Sequence, residues 1–104
     1  MRRASISLCP IPRPDKLRPV VVLTRRSSID LLNTVSAAPV TSTVRSVASE
    51  VLLDEVDGMK GPCAVILHQI LTVPKELLGK HTGALSVERT EELCTAIRFA
   101  LGCD

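Results

Sequence analysis

The chain has 104 residues, the size of one small domain, and its 45% hydrophobic and 23% charged content excludes a disordered polymer. Phe99 is the only aromatic residue, which excludes a stacking platform of the kind that RNA-recognition sheets use. A formal net charge of +2 is too small to mark a nucleic-acid binder by itself. No apolar run approaches the roughly 18 residues of a membrane span.

Met1-Arg2-Arg3 is basic, but Ala4 to Cys9 is short and half polar, and Pro10, Pro12 and Pro14 then break it. A secretory leader needs a longer apolar core, so the expected location is the cytoplasm. Arg3 to Leu8 alternates weakly and predicts a first strand. Pro10 to Asp15 reads as a proline-rich connection. Pro19 to Thr24 is the strongest strand signal, a β-branched run apolar enough to be buried on both faces. Arg25 to Asp30 is polar and reads as a loop. Leu31 to Val40 carries a third strand centred on Thr34 to Ala38, with Pro39 ending it or marking a sheet edge. Thr41-Ser42-Thr43 follows as a hydroxyl-rich turn, and Val51 to Leu53 as a fourth strand.

Asp57-Gly58 and Gly61-Pro62 are turn signals. Cys63 to Leu67 is a fifth apolar run, expected to continue through Gln69 to Val73. Pro74 to Leu78 predicts one helical turn stopped at Gly79, and Thr82 to Leu85 a short extended piece. Ser86 is placed to cap a helix. Val87, Thr90, Cys94, Ile97 and Leu101 then recur at helical spacing, Leu93, Ala96 and Ala100 widen the stripe, and Gly102 is the stop. Glu88, Glu91 and Glu92 lie near the start, where the helix dipole favours them. There is no βαβ alternation, so the expected class is α+β, a single domain over residues 1–104 with a strongly bent sheet or half-open barrel and a C-terminal helix.

Cys9, Cys63, Cys94 and Cys103 are widely spaced with no Cys-x-x-Cys pair, which argues against a zinc site. Cys63 and Cys94 read as buried small hydrophobes and Cys103 as an exposed tail residue. No phosphate-binding glycine loop, paired-histidine metal motif or serine elbow is present. His68 and His81 are the acid–base candidates by chemistry, each more commonly a surface or hydrogen-bonded residue. Arg18 stands just before the apolar strand and suits phosphate binding; capping a strand edge or pairing with Asp15 is the equal alternative. Thr41-Ser42-Thr43 offers hydroxyls and amides to a phosphate oxygen, against a simple Thr/Ser turn.

These residues also carry a resemblance. Leu17-Arg18-Pro19-Val20-Val21-Val22-Leu23-Thr24 resembles the Arg-Pro-Val-Val-Val-Leu strand of the MazF/PemK toxin family. Ala38-Pro39-Val40-Thr41-Ser42-Thr43-Val44-Arg45 resembles its Ala-Pro-(Ile/Val)-Thr segment, and Ser49-Glu50-Val51-Leu52-Leu53 its Glu-Val-Leu-Leu strand. Asp57-Gly58-Met59, Gln69-Ile70-Leu71-Thr72-Val73, Leu78-Gly79-Lys80 and Gly83-Ala84-Leu85-Ser86 are similar to further family segments, in the same order. The resemblance implies an SH3-like small β-barrel with a C-terminal helix, the MazF/PemK/CcdB toxin fold, as a homodimer. It implies a toxin of a type II toxin–antitoxin module that cuts single-stranded RNA without a metal or other cofactor and is blocked by an acidic, partly disordered MazE-like antitoxin. The family's catalytic Arg and Thr correspond to Arg18 and Thr41. Thr24, Arg25, Ser42, Thr43, Arg45, His68 and Gln69 become the expected RNA contacts, with Arg26 as a further phosphate partner.

Three features depart from the family. Arg3-Ala4-Ser5-Ile6-Ser7 lacks the usual Gly, acid and aromatic, the loop from Pro10 to Lys16 is short, and His68 replaces a carboxylate. His68 is expected either to assist proton transfer or to set sequence preference. The alternative function is that of the CcdB toxins, which share the barrel and poison DNA gyrase by binding.

Overall fold

A computed structural model of the chain describes residues 5–10, 17–24, 26–79 and 81–102. Seven strands and two helices alternate with short turns: β1 (Ser5–Pro10), β2 (Leu17–Val22), α1 (Arg26–Ile29), β3 (Thr34–Thr41), β4 (Glu50–Leu53), β5 (Cys63–Ile66), β6 (Leu71–Pro74), β7 (His81–Ala84) and α2 (Val87–Leu101). Two 3₁₀ turns cover Glu55–Asp57 and Lys75–Leu77. All strand pairs are antiparallel, in the order β4-β5-β3-β2-β1-β7, with β6 also on β3.

The long strand β3 curls the sheet. Its residues 34–37 pair with β6, while Val40 and Thr41 pair with β5. Between these partners, Ala38 and Pro39 face no strand on that edge, and β2 holds the other edge through Val20↔Pro39 and Val21↔Ala38. The missing N–H of Pro39 therefore falls in the hand-over gap, and the strand continues to Thr41 instead of ending at the proline. Pro10 is accommodated in the same way: β1 pairs with β7 only as far as Ser7, so Pro10 remains in the strand opposite Leu17. The first strand thus runs past the expected end at Leu8, and the expected start at Arg3 lies outside the described residues.

Both faces of β2 are buried, as its apolar run predicts. Val21 joins the main core with Ile6, Ala38, Val40, Val65, Leu93 and Ala96. Val20 packs with Cys9, Ala37 and Val73 on the other face, and Val22 with Ile29 and Val35. Ile29 explains why residues 26–29 form a short helix where a loop is expected: one buried apolar residue anchors the segment, and Lys75 Nζ donates to the Ile29 carbonyl at 2.6 Å. The apolar run from Cys63 is also interrupted. Leu67 and His68 turn the chain, so that β5 and β6 pair with different halves of β3.

Helix α2 begins and ends as its sequence requires. Ser86 Oγ accepts from the Arg89 N–H at 3.2 Å, and Gly102 adopts the left-handed conformation at φ 69 with its N–H on the Arg98 and Phe99 carbonyls. Its buried residues are Leu93 and Ala96, flanked by Ile97 and Ala100, whereas Val87 and Leu101 are exposed and Cys94 is only half-buried. The covered stripe is rotated from the expected one because apolar residues occur around much of this helix and the sheet covers only part of it. Cys63 is buried as expected, and Cys103 lies outside the described residues.

Arg89 ties α2 to the turn after β4. Its Nε donates to both Asp57 carboxylate oxygens at 3.2 Å, and its Nη1 pairs with Glu92 at 3.0 Å. Hydrogen bonding to Asp57 first, and to Glu92 second, raises the guanidinium pKa further. Asp54 and Asp57 cap the same turn, which leaves through Gly58 at φ 88, a conformation that favours glycine.

Candidate active site

Arg18 and Thr41 lie beyond the end of the β2–β3 ladder, where Arg18 pairs with Cys9 of β1 and Thr41 with Ala64 of β5. The ladder ends at Val20↔Pro39, two residues short of each, and both side chains line the clefts at that end. Val20, Val21 and Val22, all fully buried, anchor the strand that carries the exposed Arg18. Among the described residues no carboxylate pairs with its guanidinium. Asp15, the alternative partner, lies outside them.

Two clefts meet at this pair. A smaller one of about 290 Å³ runs past Arg18 and Thr41 to Thr43, Arg45, His68 and Gln69. A larger one of about 860 Å³ shares Arg18, Thr41 and Thr43, adds Ser42, and continues along the loop of Met59 and Lys60. The structure therefore gathers Arg18, Arg45 and Lys60 with Thr41, Ser42, Thr43, His68 and Gln69 around one junction, beside Glu50 and Thr82. Thr24 lines neither cleft. Its Oγ1 accepts the Ser36 N–H at 2.8 Å and closes the end of the β2–β3 ladder. Arg25 lies outside the described residues, as does the Arg26 side chain.

The local bonding prepares these groups for an anion. Thr41 Oγ1 accepts the Thr43 N–H at 3.1 Å, so one lone pair is occupied while the hydroxyl hydrogen remains a donor. Glu50 is the carboxylate of the smaller cleft, but its Oε1 accepts the backbone N–H groups of Arg45 and Ser46, each at 3.0 Å. That bond folds the loop after β3, where Ser46 adopts a positive φ of 57. Among the described residues Glu50 thus bonds to the backbone and forms no ion pair with Arg18 or Arg45. Among the described residues no three His, Cys, Asp or Glu side chains gather as metal ligands.

By contrast, a depression of about 610 Å³ between β4 and α2 is walled by Glu88, Glu91 and Glu92. Like charge makes it unsuited to a polyphosphate chain.

Sequence reasoning misses three contributors. Ser49 is buried, and its Oγ lies 2.7 Å from His68 Nδ1. Glu50 reads as an ordinary strand residue until its amide partners are seen. Lys60 follows a recognisable Asp57-Gly58 turn, and that charge beside a turn is the available signal, but only the curl of the sheet brings it to Arg18.

Comparison with known proteins identifies the family and the fold. The family described as the PemK-like, MazF-like toxin of type II toxin–antitoxin systems matches residues 2–101. The chain is 38% identical over 94 residues to the endoribonuclease MazF3 of Mycobacterium tuberculosis, covering 90% of this chain and 91% of that protein. Among solved structures, the Mycobacterium tuberculosis toxin MazF-mt6 superposes with a TM-score of 0.88 at 36% identity, over 96% of this chain and 98% of that one. A mycobacterial endoribonuclease in complex with its cognate antitoxin shares the fold, with a TM-score of 0.89 at 22% identity over 100% of this chain and 97% of that one.

Proposed function

The chain belongs to the family of PemK-like, MazF-like toxins of type II toxin–antitoxin systems, and from this premise we propose that it is a metal-independent endoribonuclease that cuts single-stranded RNA at Arg18 and Thr41. The single observation that carries this reading is that these two residues line both clefts of the basic junction. The RNA's own 2′-hydroxyl is the nucleophile. Its oxygen gives its proton to solvent and bonds to phosphorus, the bond to the 5′-oxygen breaks with its electron pair, and that oxygen takes up a proton from solvent. The products are a 2′,3′-cyclic phosphate and a 5′-hydroxyl end.

Arg18 stabilises the charge on the five-coordinate phosphorus through its fork of N–H donors. A guanidinium keeps its proton, with a pKa above about 12, so its role is electrostatic. Thr41 donates its hydroxyl hydrogen to a non-bridging oxygen. Ser42, Thr43, Arg45 and Gln69 hold the neighbouring nucleotides. With Phe99 the one aromatic residue, and that on α2, binding depends on charge and hydroxyls, and affinity falls steeply with salt.

The toxin works as one domain over residues 1–104, as a homodimer in the cytoplasm. Exposed Leu31, Leu52, Val56 and Phe99 supply apolar area for association. No helix among the described residues is long and apolar enough to cross a membrane. An acidic MazE-like antitoxin blocks the toxin by ordering along the basic clefts. The gyrase-poisoning alternative is set aside by the family match and has no use for the Arg18–Thr41 junction.

The test is cleavage of total RNA by the purified protein, with mapping and chemical assignment of the new ends. Wild type yields cyclic phosphates and 5′-hydroxyls, and both Arg18→Ala and Thr41→Ala abolish cutting while remaining folded. Cleavage by Arg18→Ala at the wild-type rate overturns the site assignment. Arrest of DNA supercoiling with intact RNA restores the gyrase reading. Antitoxin binding without either activity identifies a toxin that has lost its chemistry.

A further inference from the structure

Ser49 stands immediately before β4 and is 8% exposed. Its carbonyl accepts the Leu67 N–H at 2.8 Å, and its Oγ lies 2.7 Å from Nδ1 of His68. One buried residue therefore holds both the backbone and the ring of the turn between β5 and β6. Among the described residues Ser49 Oγ has no other hydrogen-bond partner. A buried hydroxyl without an acceptor is costly, so Ser49 donates to Nδ1. The neutral ring then carries its proton on Nε2, since the hydrogen bond at one nitrogen selects the tautomer at the other.

We propose that Ser49 is a positioning residue that locks His68 as an Nε2–H donor at the rim of the smaller cleft, where it reads an acceptor atom on an RNA base. This rests on the ribonuclease reading of the same cleft. An Nε2 that already carries hydrogen has no lone pair to take the 2′ proton, so His68 serves recognition and not proton transfer. The charged groups that share its cleft are Arg18, Arg45 and Glu50. Oε1 of Glu50 is held by two backbone amides. The two cations are the stronger partners for phosphate, and a neutral donor beside them adds most at a base carbonyl or ring nitrogen.

Two measurements test the proposal. The first needs no RNA: long-range proton–nitrogen spectra of the imidazoles at about pH 8, with His81→Asn to assign His68. Wild type is expected to show the Nε2–H tautomer, and Ser49→Ala to show a mixture. An Nδ1–H pattern in wild type, or a spectrum unchanged by Ser49→Ala, overturns the lock. The second is cleavage of a randomised RNA pool. Ser49→Ala is expected to raise KM about three- to tenfold with little change in kcat, the effect of misplacing one hydrogen bond. It also relaxes preference at one base position.

His68→Gln places an amide N–H near the position of Nε2–H and retains most of the preference. In a His68→Ala background, Ser49→Ala adds nothing. An equal loss in that background, or a loss uniform across sequences with a shallower salt dependence, overturns base reading. If wild type does not cut RNA, the ribonuclease reading fails, while the spectra still judge the lock. If wild type cuts, Arg18→Ala does not, and Ser49→Ala matches wild type in KM and preference, this inference alone fails.

Discussion

The helix-covered face of the sheet and its cleft end are built on the same strands by opposite means. Val21 of β2 and Ala38 and Val40 of β3 are buried with Leu93 and Ala96 of α2. On those two strands Arg18 and Thr41 lie past the end of their shared ladder and line open clefts. On the helix-covered face, removal of apolar area from water fixes position, and the Arg89–Asp57 ion pair only fastens its edge. At the cleft, polar bonds from the segment between β3 and β4 take over. Glu50 holds two amides of one loop, and Ser49 holds the turn that carries His68. The proposed site thus sits where burial stops and directional bonds begin, so damage to one region should leave the other nearly intact.

Arg18→Ala is the strongest test of that separation. It should lower cleavage roughly a thousandfold, about 4 kcal/mol of transition-state stabilisation, by analogy with loss of a main oxyanion donor. The thermal midpoint, followed by circular dichroism, should not move. Leu93→Ala should do the reverse. It opens a cavity against the sheet and should cost about 3 kcal/mol in urea unfolding. Cutting per folded molecule should stay at the wild-type level, and a parallel loss of catalysis would show that α2 governs the cleft.

Glu50→Gln weakens two charge-assisted bonds in the loop that presents Arg45. About 1 kcal/mol of stability should be lost, with a modest rise in KM that shrinks as salt is added. A change confined to stability would mean that this loop does not meet RNA.

The smallest effect concerns the two buried thiols. Burial raises the pKa of Cys9 above the ordinary 9.0, and burial followed by the charges of Asp57 and Asp54 does the same for Cys63. The unfolded chain therefore releases these protons first. The resulting stability is complete below about pH 9, the unfolded value, and is lost as pH climbs through the raised folded values. A Cys9→Ala, Cys63→Ala double variant should show a shallower fall in melting temperature above pH 9 than wild type. Equal slopes would mean that the thiols ionise alike in the folded and unfolded chains.

Much of the fold is legible along the chain. The Val20-Val21-Val22 run announces a doubly buried strand, and Ser86 and Gly102 mark the ends of α2. The errors share one cause. Pro39 within β3, the break after Ile66 and the single turn of α1 all depend on which strand pairs with which edge, or on one residue reaching a distant cluster. The rotated face of α2 has the same origin, since only the sheet decides which apolar residues are covered. Of the site, Arg18 and the Thr41-Ser42-Thr43 turn stand out by residue type. Thr24 looks equally suitable, and only its bond to the Ser36 amide shows it to be part of the ladder.

By itself the amino-acid order determined where β2 is buried, where α2 is capped and which family the chain joins, because period, caps and short motifs act over a few neighbouring residues. Tertiary structure alone decided that Arg18 and Thr41 line one junction, that Glu50 folds a loop and that Ser49 reaches His68. Those pairings span 23, 5 or 19 positions of sequence and are closed by the curl of β3 and the turns beside it. Nothing in local propensity encodes the distance between two side chains that only a bent sheet brings together.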